Sequence, residues 1–168
     1  DLPAFVTMSD PLNRGLPKGY AQNWGAGFLP SIYQGTWFKP QGDPIDNLKI
    51  SGKKSLAQQR NLLDTLKDLN QDHQKTRPEQ RDLETRINSF ELAYRMQTSV
   101  PELTDLSTEP ESTFELYGEN ARTRGTFAAN CLLARRLAER GVRFIQLYHM
   151  GWDQHGALPA QIKGQCLD

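Results

Sequence analysis

Gly141-Val142-Arg143-Phe144-Ile145-Gln146-Leu147-Tyr148-His149-Met150-Gly151-Trp152-Asp153-Gln154-His155-Gly156 is the stretch on which the reading of this chain turns. Its first half places apolar residues at 142, 144, 145 and 147, so a strand over 142–148 is apolar on both faces. That is the pattern of an interior strand in a parallel sheet covered by helices. Just upstream, the spacing predicts a helix over 123–140 that buries Phe127, Cys131, Ala134 and Leu137 or Ala138. Gly141 is then the residue past its C-terminus, where a left-handed backbone is needed. Helix, glycine turn and buried strand make an αβ unit, and the expected fold class is α/β.

The second half of the stretch carries the chemistry. It holds Asp153 and two of the three histidines, His149 and His155. In open α/β sheets ligands bind beyond the carboxyl ends of the strands, and this loop leaves its strand at that end. If 153 and 155 stay extended, their side chains point the same way. A carboxylate oxygen and an imidazole nitrogen suit zinc, manganese or iron better than calcium. Gly151 and Gly156 let the backbone turn on either side, and Trp152 is placed to wall the site against water. The same residues also admit a structural role, with Asp153 capping the next turn and His155 bonded to a carbonyl. His149 reads as an ordinary strand-end histidine or, less in keeping with its place, as a residue that supports a ligand of the site. The chain has no Gly-x-Ser-x-Gly elbow, phosphate-cradling loop or dinucleotide fingerprint. No catalytic nucleophile and no organic cofactor site is assigned.

Working outward, residues 1–50 are rich in Gly, Pro and aromatics and lack a sustained period. A short buried strand is expected at Ala4-Phe5-Val6-Thr7-Met8. Turns are expected at Asp10-Pro11, Asn13-Arg14-Gly15, Pro17-Lys18-Gly19 and Gln41-Gly42-Asp43-Pro44. The aromatics between them read as packed coil or the rim of a site. Residues 55–98 read as a helical hairpin. Ser55 and Gln58 form a capping box, followed by Leu56, Leu62, Leu63, Leu66 and Leu69. Pro78 opens the second helix, in which Leu83, Ile87, Phe90 and Tyr94 recur. His73 lies in the polar tail of the first helix. Residues 99–121 are expected to be a connector around Val100-Pro101 and Glu109-Pro110, with a helical turn near Phe114-Glu115-Leu116-Tyr117-Gly118.

The bulk numbers exclude more than they suggest. Twenty basic and twenty acidic residues cancel to a net charge of +0, which argues against nucleic acid as a partner. No apolar run approaches the roughly 18 residues that span a bilayer. Cys131 and Cys166 neither require nor exclude a disulfide, and their spacing is no zinc pattern. The chain of 168 residues is read as one partial domain. It begins Asp1-Leu2-Pro3 and stops just after a new helical pattern starts, so an internal piece of a longer protein is expected.

Several blocks occur in a telling order: Asn23-Trp24-Gly25-Ala26-Gly27-Phe28-Leu29-Pro30, Tyr33-Gln34-Gly35-Thr36, Phe90-Glu91-Leu92-Ala93-Tyr94-Arg95-Met96-Gln97, Cys131-Leu132-Leu133-Ala134-Arg135-Arg136-Leu137, and Gly151-Trp152-Asp153-Gln154-His155-Gly156. Together they resemble the sulfatase-like family called domain of unknown function 1501. The resemblance covers essentially the whole chain. It implies an alkaline-phosphatase-like parallel-sheet core, here incomplete and carrying the hairpin as an insertion. It further implies export through a twin-arginine signal and a metal-dependent hydrolase of sulfate or phosphate esters. Asp153 and His155 then carry over as ligands of a divalent metal ion, zinc, manganese or similar. Other members of that superfamily separate these two ligands by three residues, whereas here Gln154 alone intervenes. The nucleophile and remaining ligands would lie outside residues 1–168. The alternative is an exported, non-catalytic binding or assembly module whose interaction surface is the hairpin.

Overall fold

The structure is a computed structural model that describes residues 2–9, 19–30, 33–46, 48–50, 52, 54–76, 82–149 and 151–167, with the backbone alone at 20 and 82–86. The expected turns at Asp10-Pro11, Asn13-Arg14-Gly15 and Pro17-Lys18, the helix start at Pro78 and the side chain of Leu83 lie outside the described residues. Three strands, β1 (Phe5–Ser9), β2 (Thr36–Phe38) and β3 (Phe144–Tyr148), form a parallel sheet in the order β2-β1-β3. Among the described residues five α-helices accompany it: α1 (Leu56–Thr76), α2 (Asp82–Thr104), α3 (Glu111–Tyr117), α4 (Phe127–Glu139) and α5 (Leu158–Gln165). The class is α/β, and four of the five helices lie in the crossover from β2 to β3. Among the described residues no helix is long and apolar enough to cross a membrane.

The register explains which residues the sheet buries. Val6 pairs with Thr36 and Ile145, and Met8 with Phe38 and Leu147, so these side chains share one face. They meet Met96, Val100 and Leu103 of α2 and Leu137 of α4 in the main core. The opposite face carries Phe5, Thr7 and Ser9 beside Phe144, Gln146 and Tyr148. There Trp24 stacks on Trp37 at 5.7 Å, and Phe5 meets Phe144 edge-on at 5.0 Å. A smaller cluster of Phe114, Ala121 and Leu132 seats α3 against α4.

Local chemistry sets the element ends. The capping box forms as expected: Ser55 N donates to Gln58 Oε1 at 2.9 Å and Gln58 N to Ser55 Oγ at 3.2 Å. Thr126 caps α4 by accepting from Ala129 N at 3.1 Å. At the other end Gly141 adopts φ 83°, its N–H reaches the Ala138 carbonyl and the Val142 N–H reaches that of Leu137. This is the Schellman arrangement, and Gly carries no Cβ penalty there.

Five expectations are corrected. β3 starts at Phe144 because the Val142 N–H is already spent on α4. It flanks the described sheet while β1 is central, so Phe144 is 60% exposed and the strand is only half-buried. Thr36-Trp37-Phe38, read as packed coil, is strand β2. Helix α2 continues through Pro101 to Thr104, because Val100 and Leu103 are wholly buried and that burial outweighs one lost backbone hydrogen bond. The buried side of α4 is Ala129, Asn130, Leu132, Arg136 and Leu137, with Cys131 half-buried and Ala138 exposed.

Candidate functional site

In the order β2-β1-β3 the chain leaves β1 toward one neighbour and returns later on its other side, so the strand order switches at the β1–β3 crevice. Ligands of open α/β sheets sit outside the carboxyl ends of the strands at such a point. Ser9 and Tyr148 end the two strands as register partners. Ser9 is buried and held on two sides. Its Oγ accepts from the Trp37 indole at 3.2 Å, and its carbonyl accepts from the Asn130 amide at 3.2 Å. The Tyr148 hydroxyl donates to the Asn23 carbonyl at 3.4 Å, which ties the 20–24 segment to the end of β3.

Beyond Tyr148 the chain enters the loop. His149 lies against Phe127, the first residue of α4, with ring centroids 4.2 Å apart, and Trp152 meets it edge-on at 5.6 Å. Gln165 Nε2 of α5 lies 2.5 Å from His149 Nε2, and because an amide nitrogen donates, that ring nitrogen accepts. His149 is therefore bound into a cluster that joins α4, the loop and α5.

Asp153 and His155 are brought together. The His155 Nε2–H donates to Asp153 Oδ2 at 2.9 Å, and both side chains are more than four-fifths exposed, at 87% and 85%. Neither the turn cap nor the carbonyl bond considered above is what these groups make; they bond to each other. Gly151 adopts φ 95°, and the Gln154 amide donates back to the Gly151 carbonyl, which curls the loop beneath the pair. Gly156 does not adopt a positive φ. Trp152 is half-exposed and leans on His149, so it does not wall the pair from water.

As metal donors the two groups supply one carboxylate oxygen and one imidazole nitrogen on the same side of the loop, a set that fits two positions around a divalent ion. Among the described residues no third His, Cys, Asp or Glu joins them. Met150 lies outside the described residues. Reading the sequence did not single out Ser9 and Asn130. The available signal was a polar Asn within the apolar stripe of a helix, where a buried amide must find a partner. Both cysteines are free thiols, and burial pushes the Cys131 thiol above its ordinary pKa.

These features define an α/β protein with an Asp–His loop at the carboxyl edge of a small parallel sheet. The chain belongs to the family described as Protein of unknown function (DUF1501), whose sequence model matches residues 1–168. No curated protein matches it, and no solved structure matches it.

Proposed function

We propose that the protein acts as a metal-dependent hydrolase of sulfate or phosphate esters, built on an alkaline-phosphatase-like core and exported from the cell. The observation that carries this reading is the Asp153–His155 pair, 2.9 Å apart, on the loop beside the switch in strand order. In it Asp153 and His155 would hold a divalent ion, the imidazole giving up the Nε2–H it now shares with Asp153, and the ion would offset charge developing on the ester oxygens. Further ligands and a nucleophile are required, and the described residues do not supply them. Gln154 and Gly151 hold the loop's curl, and the His149 cluster anchors its base to α4 and α5. The pair's open exposure leaves room for those further groups.

The test is elemental analysis of the purified full-length protein after dialysis against zinc or manganese; residues 1–168 alone are expected to turn over no sulfate or phosphate ester. We expect bound metal in the parent and its loss in Asp153→Ala and in His155→Ala, with circular dichroism unchanged. Full metal occupancy in Asp153→Ala would sink the assignment.

One observation favours a second reading, an exported binding or assembly module. None of the residues of α1 is buried, and Leu62, Leu66 and Leu69 present an exposed apolar stripe. A solvated helix of this length gains little stability from such leucines unless something covers them. Absence of metal binding together with a helix-mediated complex would favour that module over the hydrolase.

A further inference from the structure

The six charged side chains of α1 are confined to part of its circumference. At roughly 100° per residue, Arg60, Asp64, Lys67, Asp68, Asp72 and Lys75 fall within one sector of roughly 140°. The sector that carries Leu62, Leu66 and Leu69 holds none of them. Those leucines are 45%, 39% and 62% exposed, and their steps of four and three are the spacing of a helix–helix seam. Toward α2 the helix turns Gln59, Leu63 and Asn70, which are half-buried, so the stripe stands to one side of the hairpin's plane. Leu66 is where stripe and hairpin meet: it lines one shallow groove with Phe90 of α2, which is 49% exposed. Leu62, Leu66, Leu69 and Phe90 thus form one apolar face across both helices.

Two features of this face choose its occupant. The first is charge. A surface that pairs with its own copy about a two-fold axis meets itself, so any net charge on it is set against its like. The leucine sector of α1 carries no charge, and the groove's Lys67 and Glu91 are of opposite sign, with Glu91 already paired to Arg60. A face that recognised a charged partner would carry the countercharge. The second feature is area. With 21 residues α1 is about 31 Å long, so one partner helix about 10 Å wide would bury roughly 600 Å² in all, short of the roughly 1,200 Å² of a stable interface. A two-helix partner doubles the area, and the α1–α2 hairpin is itself such a partner.

We propose that this face pairs with the same face of a second copy, the two hairpins closing about a two-fold axis into a four-helix bundle with the leucine stripes at its seam. The proposal rests on the binding-module reading only in taking the hairpin as an interaction surface. It uses none of the loop residues, so metal content and oligomeric state are separate readouts.

The test is sedimentation equilibrium of the full-length protein over micromolar concentrations, where we expect a monomer–dimer equilibrium. Leu62→Lys/Leu69→Lys and Leu62→Glu/Leu69→Glu each set like charges against each other at the seam. Each should weaken self-association about a hundredfold, with circular dichroism unchanged because both leucines are exposed. An equimolar mixture of the two variants should dimerise again, which misfolded chains would not do. Asp68→Lys, on the charged sector, should leave the dimer intact. In the dilute single chain the amides of α1 keep the low protection of a solvated helix, and that protection should rise with concentration. A lysine variant that dimerises as the parent does would overturn the pairing. A parent that stays monomeric would overturn it too, while leaving the module reading to a different partner.

Discussion

At the scale of single residues, two contacts show how little latitude the interior leaves. Gly35 donates its N–H to the Trp24 carbonyl at 2.7 Å, and a Cβ at this position would lie 2.8 Å from the Phe5 ring and 2.9 Å from the Trp24 Cβ. Phe5 is in turn held against Phe144. Gly35→Ala should therefore cost about 1–3 kcal/mol as overpacking, read as a lower urea midpoint with an unchanged slope. Glu109 is the second case. Its carboxylate meets Arg135 and, at 2.8 Å, the buried Arg136, whose Nη2 also donates to the Glu102 carbonyl at 3.0 Å. Burial alone would push the Glu109 carboxyl up, but the two guanidiniums outweigh it and hold it below its ordinary pKa. A carboxylate with a lowered folded pKa contributes its full stability above the ordinary glutamate value of about 4.3, and that contribution is lost as pH falls through the lowered value. Glu109→Gln should cost about 3 kcal/mol at pH 7, because it leaves Arg136 buried and unpaired. The difference from the parent should narrow at pH 3; a difference equally large at both values would refute the ion-pair account.

At the scale of elements, the signals written into short spacings were legible and those that depend on neighbours were not. The Ser55–Gln58 box and the Gly141 terminus work through groups three or four residues apart, so the sequence alone specifies them. Ser55→Ala should remove about 1 kcal/mol. In a double-mutant cycle with Gln58→Ala the two losses should be less than additive, with helicity followed by circular dichroism. By contrast, Pro101 reads locally as a stop, and only the burial of Val100 and Leu103 carries α2 past it. The leucines of α1 read equally well as a buried stripe. The α1–α2 contact instead joins polar pairs, Arg60 forked onto Glu91 at 2.8 and 3.1 Å and Gln59 bonded to Gln97, to a partly exposed apolar seam of Leu63, Leu66, Ile87 and Phe90. Which side of an amphipathic helix finds a partner is a property of the neighbours, and helical periodicity does not contain it.

At the scale of the whole molecule, stability is unevenly distributed. β1 sits between two strands with Val6, Thr7 and Met8 at 1% exposure or less, whereas α1 has no buried residue. Hydrogen exchange should follow that division. Amides of α1 should exchange by local opening at low cost, and those of β1 only with global unfolding. Protection of α1 equal to that of β1 would show that the hairpin is covered in solution. The candidate site divides in the same way. Asp153, His155 and their strand-end position were readable because a period of two and a glycine-flanked loop are local features. The anchoring of that loop was not, because His149 is held by Phe127 from α4 and Gln165 from α5, 22 and 16 residues away in sequence. Likewise nothing local marks Ser9 as the end of the central strand, since Asn130 and Trp37 reach it only in the folded chain. The sequence by itself determined the α/β class, the Ser55–Gln58 and Gly141 helix ends, the approximate place of the long helices and the Asp–His loop, because each rests on interactions spanning a few residues. The tertiary structure alone decided the strand order, which strand lies at the centre and which leucines stay in water. Those depend on contacts between segments far apart in the chain, whose net burial energy no local window contains.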